Sequence, residues 1–263
     1  MRVRLRKTSD DIAAELAGDI LARFKSAQAA GRNYLLGCPS GRSPKPTYDA
    51  LAALFAETEA DLSGLILVMM DEYVEGDPPS FRYVDKDRHY SCRRFADVDM
   101  AAQFNAGLPR SKHLPADNIW FPDPVQSAAY DEHIAAAGGI DLFILASGAG
   151  DGHVAFNPPG SGRQSRSRVT ELAEQTKRDN LNTFPDFRSL DEVPRYGVTV
   201  GIATIIDQAK SAAMILSGES KRKAFDIISQ ATSYAPDWPA TVIVECRNAV
   251  LYADASAAGK AVA

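Results

Sequence analysis

DLFILASGAGDGHVAFN, residues 141–157, passes from an uninterrupted apolar run into a turn that holds three glycines, an aspartate and a histidine. An apolar run with no polar alternation is the pattern of a strand buried on both faces, as in a parallel sheet covered by helices. Glycines directly after it permit a tight turn and a close approach of backbone to a ligand. In open α/β sheets ligands bind beyond the carboxyl ends of the strands, so this stretch marks both the fold class and the place to look for chemistry.

The same grammar recurs along the chain. YLLGCP (34–39), LILVMM (65–70), GVTVGI (197–202), AAMILS (212–217) and TVIVEC (241–246) read as further strands. Between them lie helical patterns. IAAELAGDILARF places Ile12, Leu16, Ile20 and Phe24 at four-residue steps, with Ser9 as the expected N-cap. SPKPTYDALAALFAE follows the first of these strands, with Ser43 as expected N-cap and Pro44 at the first helical position. The expectation is an α/β chain with a mostly parallel sheet and helices on both faces.

Composition narrows the function. The chain has 263 residues, 45% of them apolar and 24% charged, and a net charge of −5. That balance argues against a nucleic-acid surface, and any anionic ligand must be met by a local cationic pocket. The start MRVRLRKTSDD lacks the apolar segment of a secretory signal, and no run of about 18 apolar residues suggests a membrane span. Cys38, Cys92 and Cys246 are odd in number and form no CxxC pair, which points to reduced thiols in a cytoplasm. The histidines at 89, 113, 133 and 153 show no metal-ligand spacing, so neither a metal nor another cofactor is expected.

Polar clusters follow the expected strands. Ser40, Gly41, Arg42 and Ser43 offer hydroxyls and backbone N–H groups at a helix start, a way to hold phosphate; an ordinary helix cap is the alternative. Lys221, in SGESKRKAF, is a second phosphate candidate, against the alternative of a solvated basic face. Asp71 and Glu72 end a very apolar run. Burial there would raise a carboxyl pKa, which suits a general base, while Asp also commonly caps helices. Gly150 lies in the glycine turn, where Asp151 is placed to orient His153, a residue suited to proton transfer near neutral pH.

The segments GCPSGRSPKPTYDAL, MMDEYV, GAGDGHVAFN, VPRYGVTVGIATI and SGESKRKA occur in the order seen in glucosamine-6-phosphate deaminases. Over roughly residues 10–250 the chain resembles that deaminase/isomerase family, within a superfamily that includes 6-phosphogluconolactonases. DEY followed by HVAFN is similar to the deaminase branch. The resemblance implies a single Rossmann-like domain over 1–263, a hexose 6-phosphate substrate, no metal, and a homo-oligomer. It implies that Asp71 takes the C2 proton of the open-chain sugar and that His153, beside Asp151, opens the pyranose ring. Phosphate would lie on Ser40–Ser43, Lys221 and Lys177. At 177 the family has an arginine, so a bidentate grip becomes a point charge.

One departure bears on the reaction. The family continues HVAFN with a glutamate that partners the histidine; this chain has Pro158, which can neither ionise nor donate. Loss of an anionic partner lowers a histidine pKa, so the expectation is weak ammonia release with better survival of C1–C2 isomerisation. Glu72 and Glu171 are the candidates to replace the lost carboxylate. Ser161 and Arg168 are retained where regulated deaminases bind an allosteric phosphate, but Thr170 replaces a lysine, so that regulation is expected to be weak or lost. Lactone hydrolysis and ligand binding without turnover are the alternative functions.

Overall fold

The computed structural model describes residues 1–260. The chain opens with strand β1 (Arg2–Arg6), helix α1 (Ser9–Ala29), β2 (Tyr34–Cys38), α2 (Lys45–Glu57) and β3 (Leu65–Met69). A hairpin follows, β4 (Asp71–Asp77) and β5 (Ser80–Tyr83), then two short helices α3 (Cys92–Phe95) and α4 (Ala102–Asn105) joined by a π-helical turn. Next come β6 (Ile119–Trp120), α5 (Ser127–Ala136), β7 (Leu142–Ala146), β8 (Arg168–Glu171), α6 (Glu174–Thr183) and β9 (Tyr196–Thr199). The last elements are α7 (Ile202–Gln208), β10 (Ala212–Leu216), α8 (Arg222–Gln230), β11 (Val250–Asp254) and α9 (Ala255–Ala258).

Seven strands form one all-parallel sheet in the order β1-β11-β10-β7-β2-β3-β6. The run that opened the sequence reading is thus its central strand. Alternate residues feed two cores. Leu35, Ile66, Val68, Phe143, Leu145 and Met214 face α5, α7 and α8, whereas Leu36, Leu67, Met69, Leu142 and Ile144 face α1 and α2. Each fully buried aliphatic side chain contributes about 1.5–3 kcal/mol, so a strand that buries both faces has no use for polar alternation. From β2 the chain builds outward through β3 to β6, and from β7 it builds the other way through β10 to β11. The order therefore reverses between β2 and β7, and a crevice opens there at the carboxyl edge.

Local signals explain the helix starts, with two corrections. Helix α1 is capped by Thr8 rather than Ser9: Asp11 N donates to Thr8 Oγ1 and Thr8 N donates to Asp11 Oδ2. This reciprocal box satisfies two otherwise orphaned donors and contributes about 1 kcal/mol. Helix α2 begins at Lys45 with Pro44 at the cap position and no side-chain cap bond. Ser43 is left facing the crevice instead.

Two expected strands fold otherwise. The segment 197–202 supplies β9, but in a second, antiparallel sheet of order β5-β4-β9-β8, and its last residues begin the turn into α7. TVIVEC is a 3-10 helix, Pro239–Glu245, with Ala240, Val242 and Ile243 buried among α7 and α8. An apolar, β-branched run reports burial, not which neighbour satisfies its backbone. Here Pro239 has no N–H for a ladder, and the Thr241 hydroxyl accepts from Ala235 N and donates to Trp238 O, which favours the coiled form. The final sheet strand is β11.

Among the described residues no helix is long and apolar enough to cross a membrane. Cys38, Cys92 and Cys246 are all buried free thiols.

Candidate active site

At the β2/β7 switch point lies a cleft of about 620 Å³. Its floor is built by the segments that leave four adjacent strands: Pro39–Ser43 after β2, Met70 and Asp71 after β3, Ala146–Ala149 with His153 after β7, and Ser217–Lys221 after β10. Its cover is α6 and the residue after it, which present Thr176, Asp179, Asn180, Thr183 and Phe184.

Asp71 stands where the chain leaves the parallel sheet and enters the antiparallel one. It is only 6% exposed, yet it lines the cleft. Burial pushes its carboxyl up to about 7; a hydrogen bond from Cys92 opposes the rise and the Glu72 charge adds to it. The Cys92 thiol, itself held far above its ordinary value by burial, stays protonated and donates to Asp71 Oδ1 at 3.5 Å. Ser40 Oγ lies 3.2 Å from the same sulfur, so one relay ties the phosphate-type turn to the carboxylate.

Glu72 is different in kind. Fully buried, it does not line the cleft. Its carboxylate accepts from Tyr73 N, Cys92 N, Arg93 N and the Ser91 hydroxyl, all at 2.7–2.9 Å, at the start of α3. Glu72 stands away from the cleft and orders the backbone that carries Cys92. Strand alternation is the cause, because neighbouring side chains leave β4 on opposite sides.

The glycine turn brings Asp151 and His153 together. Asp151 Oδ1 is 2.8 Å from His153 Nδ1 and also accepts from His153 N. Burial would raise the Asp151 pKa, but the hydrogen bonds and charge of His153 outweigh it and hold the carboxylate below its usual range. Asp151 Oδ2 is buried and, among the described residues, has no partner. Two glycines make the turn possible. A Cβ on Gly148 would sit 2.3 Å from His153 Nδ1, and one on Gly152, at φ +69°, would sit 2.3 Å from the Trp238 ring. Gly150 does not line the cleft, and its carbonyl accepts from Lys223 Nζ.

The cations sort in the same way. Arg42 and Lys221 line the cleft, as do Ser40, Gly41 and Ser43. Burial pushes the Lys221 ammonium below its ordinary value, while the charges of Asp179 and Asp151 oppose that shift. Lys221 Nζ donates to Ser147 O, and Ser217 and Gly218 are pinned by Asp254 Oδ2, so its loop is tethered at both ends. Lys177 does not line the cleft. Thr176, Asp179 and Thr183 share the inner face of α6, and Lys177 is turned about 100° away from Thr176 toward the charges of Glu171 and Glu174.

Pro158 does not line the cleft either, and its carbonyl accepts from Ser161 N and Oγ. Arg168 donates to Asn157 Oδ1, so Ser161 and Arg168 both serve the turn after the histidine loop. The sequence analysis did not single out α6 as a wall; the spacing of Thr176, Asp179 or Asn180, and Thr183 is the signal of a single polar face.

Asp151, His153 and Asp179 each present a ligand-type atom, all within 4.8 Å of one another. Within this trio the direct contact is the hydrogen bond between His153 Nδ1 and Asp151 Oδ1 at 2.8 Å. In sum the cleft can hold an anion at one end, remove a proton with Asp71, and deliver one with His153.

Comparison with known proteins identifies the family. The sequence model of the family described as glucosamine-6-phosphate isomerases/6-phosphogluconolactonase matches residues 7–252. A glucosamine-6-phosphate deaminase of Beutenbergia cavernae is 35% identical over 86% of this chain and 81% of its own length. A glucosamine-6-phosphate isomerase of Candida albicans is 29% identical over 98% of both chains. The solved structure of a monomeric glucosamine-6-phosphate deaminase superposes with a TM-score of 0.82 at 23% identity, covering 98% of this chain and 99% of the other.

Proposed function

Because this chain belongs to the glucosamine-6-phosphate isomerase/6-phosphogluconolactonase family, we propose that it converts a 6-phosphorylated 2-amino aldose to the corresponding ketose phosphate. The observation that carries the reading is Asp71, a buried carboxylate with a pKa raised to about 7, on the floor of a cleft that His153 also lines, with Asp151 hydrogen-bonded to the imidazole. A base of that pKa is half ionised near neutrality and strong enough to take an activated C–H proton.

The phosphate sits on the Ser40–Ser43 turn and Lys221, which leaves the sugar carbons over Asp71 and His153. His153 gives a proton to the ring oxygen while the anomeric hydroxyl loses one, and the pyranose opens to the aldehyde. Asp71 removes the C2 proton, the electron pair forms the C1–C2 double bond, and the aldehyde oxygen takes up a proton. Return of the proton to C1 leaves an imine at C2, to which water adds and from which ammonia departs. Only proton transfers and water are required, which suits a site made of carboxylates, an imidazole and an ammonium.

The test is a substrate panel in which glucosamine 6-phosphate, its unphosphorylated sugar and 6-phosphogluconolactone are offered to the enzyme. Ketose phosphate and ammonia are measured separately. Ketose phosphate from the first substrate alone is expected. Turnover of the lactone alone would replace the reading with hydrolysis, and no turnover of any would leave a sugar-phosphate binder.

A further inference from the structure

Pro158 follows the histidine loop and can supply no charge to His153. The two replacements suggested by sequence fail on position. Glu72 is locked at the start of α3, and Glu171 is exposed and paired with Arg195. We propose that Asp179, from the covering helix α6, is the anionic partner of His153 and keeps it protonated for ring opening and ammonia release; this rests on the deaminase reading above.

Three observations converge. Asp179 lines the cleft, and one of its carboxylate oxygens lies within 4.8 Å of both a His153 ring nitrogen and an Asp151 oxygen. Thr176, one turn earlier on the same face, places its hydroxyl 3.3 Å from His153 Nδ1, so α6 is docked against the imidazole. Gln175 Nε2 donates to Asp179 Oδ1 at 2.9 Å, which orients the carboxylate within its own helix. An anion at that range favours imidazolium over imidazole. Asp179 acts through His153, so it is a positioning residue.

The electrostatic surroundings are mixed. Asp151 faces His153 from its own loop and Asp179 from α6, while Asp71 lines the same cleft from β4. Against these stand Lys221 after β10, Arg42 after β2, and Lys223 of α8, whose ammonium reaches Gly150 O in the histidine loop. Arg42 and Lys221 on the floor act against imidazolium, and Asp151 and Asp179 act for it. The Asp179 carboxylate comes from the covering helix, so its distance to His153 is set by how α6 packs on the cleft.

The experiment is an NMR titration of the His153 imidazole in the wild type, Asp179→Asn and Asp179→Glu, with the resonance assigned by His153→Gln. The expected result is a fall of about one pH unit in Asp179→Asn, a roughly tenfold loss of imidazolium at a fixed alkaline pH, with most of it recovered in Asp179→Glu. The alkaline limb of kcat/KM for ammonia release should move down by the same amount. An unchanged His153 titration in Asp179→Asn overturns the proposal, and so does a shifted titration with an unmoved alkaline limb. If the wild type turns over none of the panel substrates, the function reading fails on its own, and the titration still decides whether Asp179 sets His153.

Discussion

The floor and the cover of the cleft are built on different physics. The floor is made of short segments that leave a parallel sheet whose strands are buried on both faces, and each segment is tethered: Tyr48 to Pro39, Cys92 to Asp71, Asp254 to Gly218, Asp151 to His153. The cover is one ten-residue helix, polar on nearly every face, with only Thr176 and Asn180 buried. Rigid elements can hold an ionisable group in a costly, desolvated state, whereas a lightly packed helix is free to open for substrate. Asp71 belongs to the first kind of environment and Asp179 to the second.

The largest effect should come from the floor. Asp71→Asn keeps the shape and the Cys92 contact but cannot accept a proton, so kcat should fall roughly a hundredfold or more with KM little changed. Initial-rate kinetics on glucosamine 6-phosphate checks this, and near-normal kcat would end the contrast between floor and cover. In the wild type, kcat/KM should fall on the acid side with an apparent pKa near the value of about 7 given by burial.

The same substitution should stabilise the fold. Asp71 has a folded pKa above its unfolded one, so the folded state binds more protons across that interval. Stability from this group is present below the unfolded value and is lost as pH rises through about 7. Urea unfolding at pH 8 should therefore show Asp71→Asn more stable than wild type by about 1–3 kcal/mol, with the gap closing toward pH 4. A destabilised variant at pH 8 would mean that the buried carboxylate is better satisfied than its surroundings indicate.

Lys221→Ala should raise KM for phosphorylated sugars roughly tenfold or more, the scale of a lost charge-assisted contact, with a smaller change in kcat. Isothermal titration with inorganic phosphate or the sugar phosphate reads it directly. The smallest effect should come from Lys177→Ala on the outer face of the cover, less than about twofold in KM, as for other solvent-facing changes. A KM defect in that variant equal to that of Lys221→Ala would mean that α6 rotates to bring Lys177 inward when substrate binds.

Much of this was legible without coordinates. Continuous apolar runs announced a doubly covered parallel sheet, because residues such as Leu35 and Leu36 must each find a hydrophobic core on opposite faces. Strand-end placement then marked Ser40–Ser43, Asp71, His153 and Lys221, since open α/β sheets offer ligands a crevice only there. Both signals are local and repeat with the period of the backbone.

What only the tertiary structure decided was which side of a segment meets which neighbour. Asp71 and Glu72 are adjacent and chemically alike, and the strand's alternation sends one to the cleft and the other to the backbone of α3. TVIVEC carries the composition of a strand, yet Pro239 and the room beneath α7 and α8 make it a helix. Asp179 looks like any exposed acid in a polar helix until α6 folds over the cleft and sets it beside His153. Composition and spacing determine burial and periodicity; the partner of a polar group depends on a contact many residues away, which no local pattern encodes.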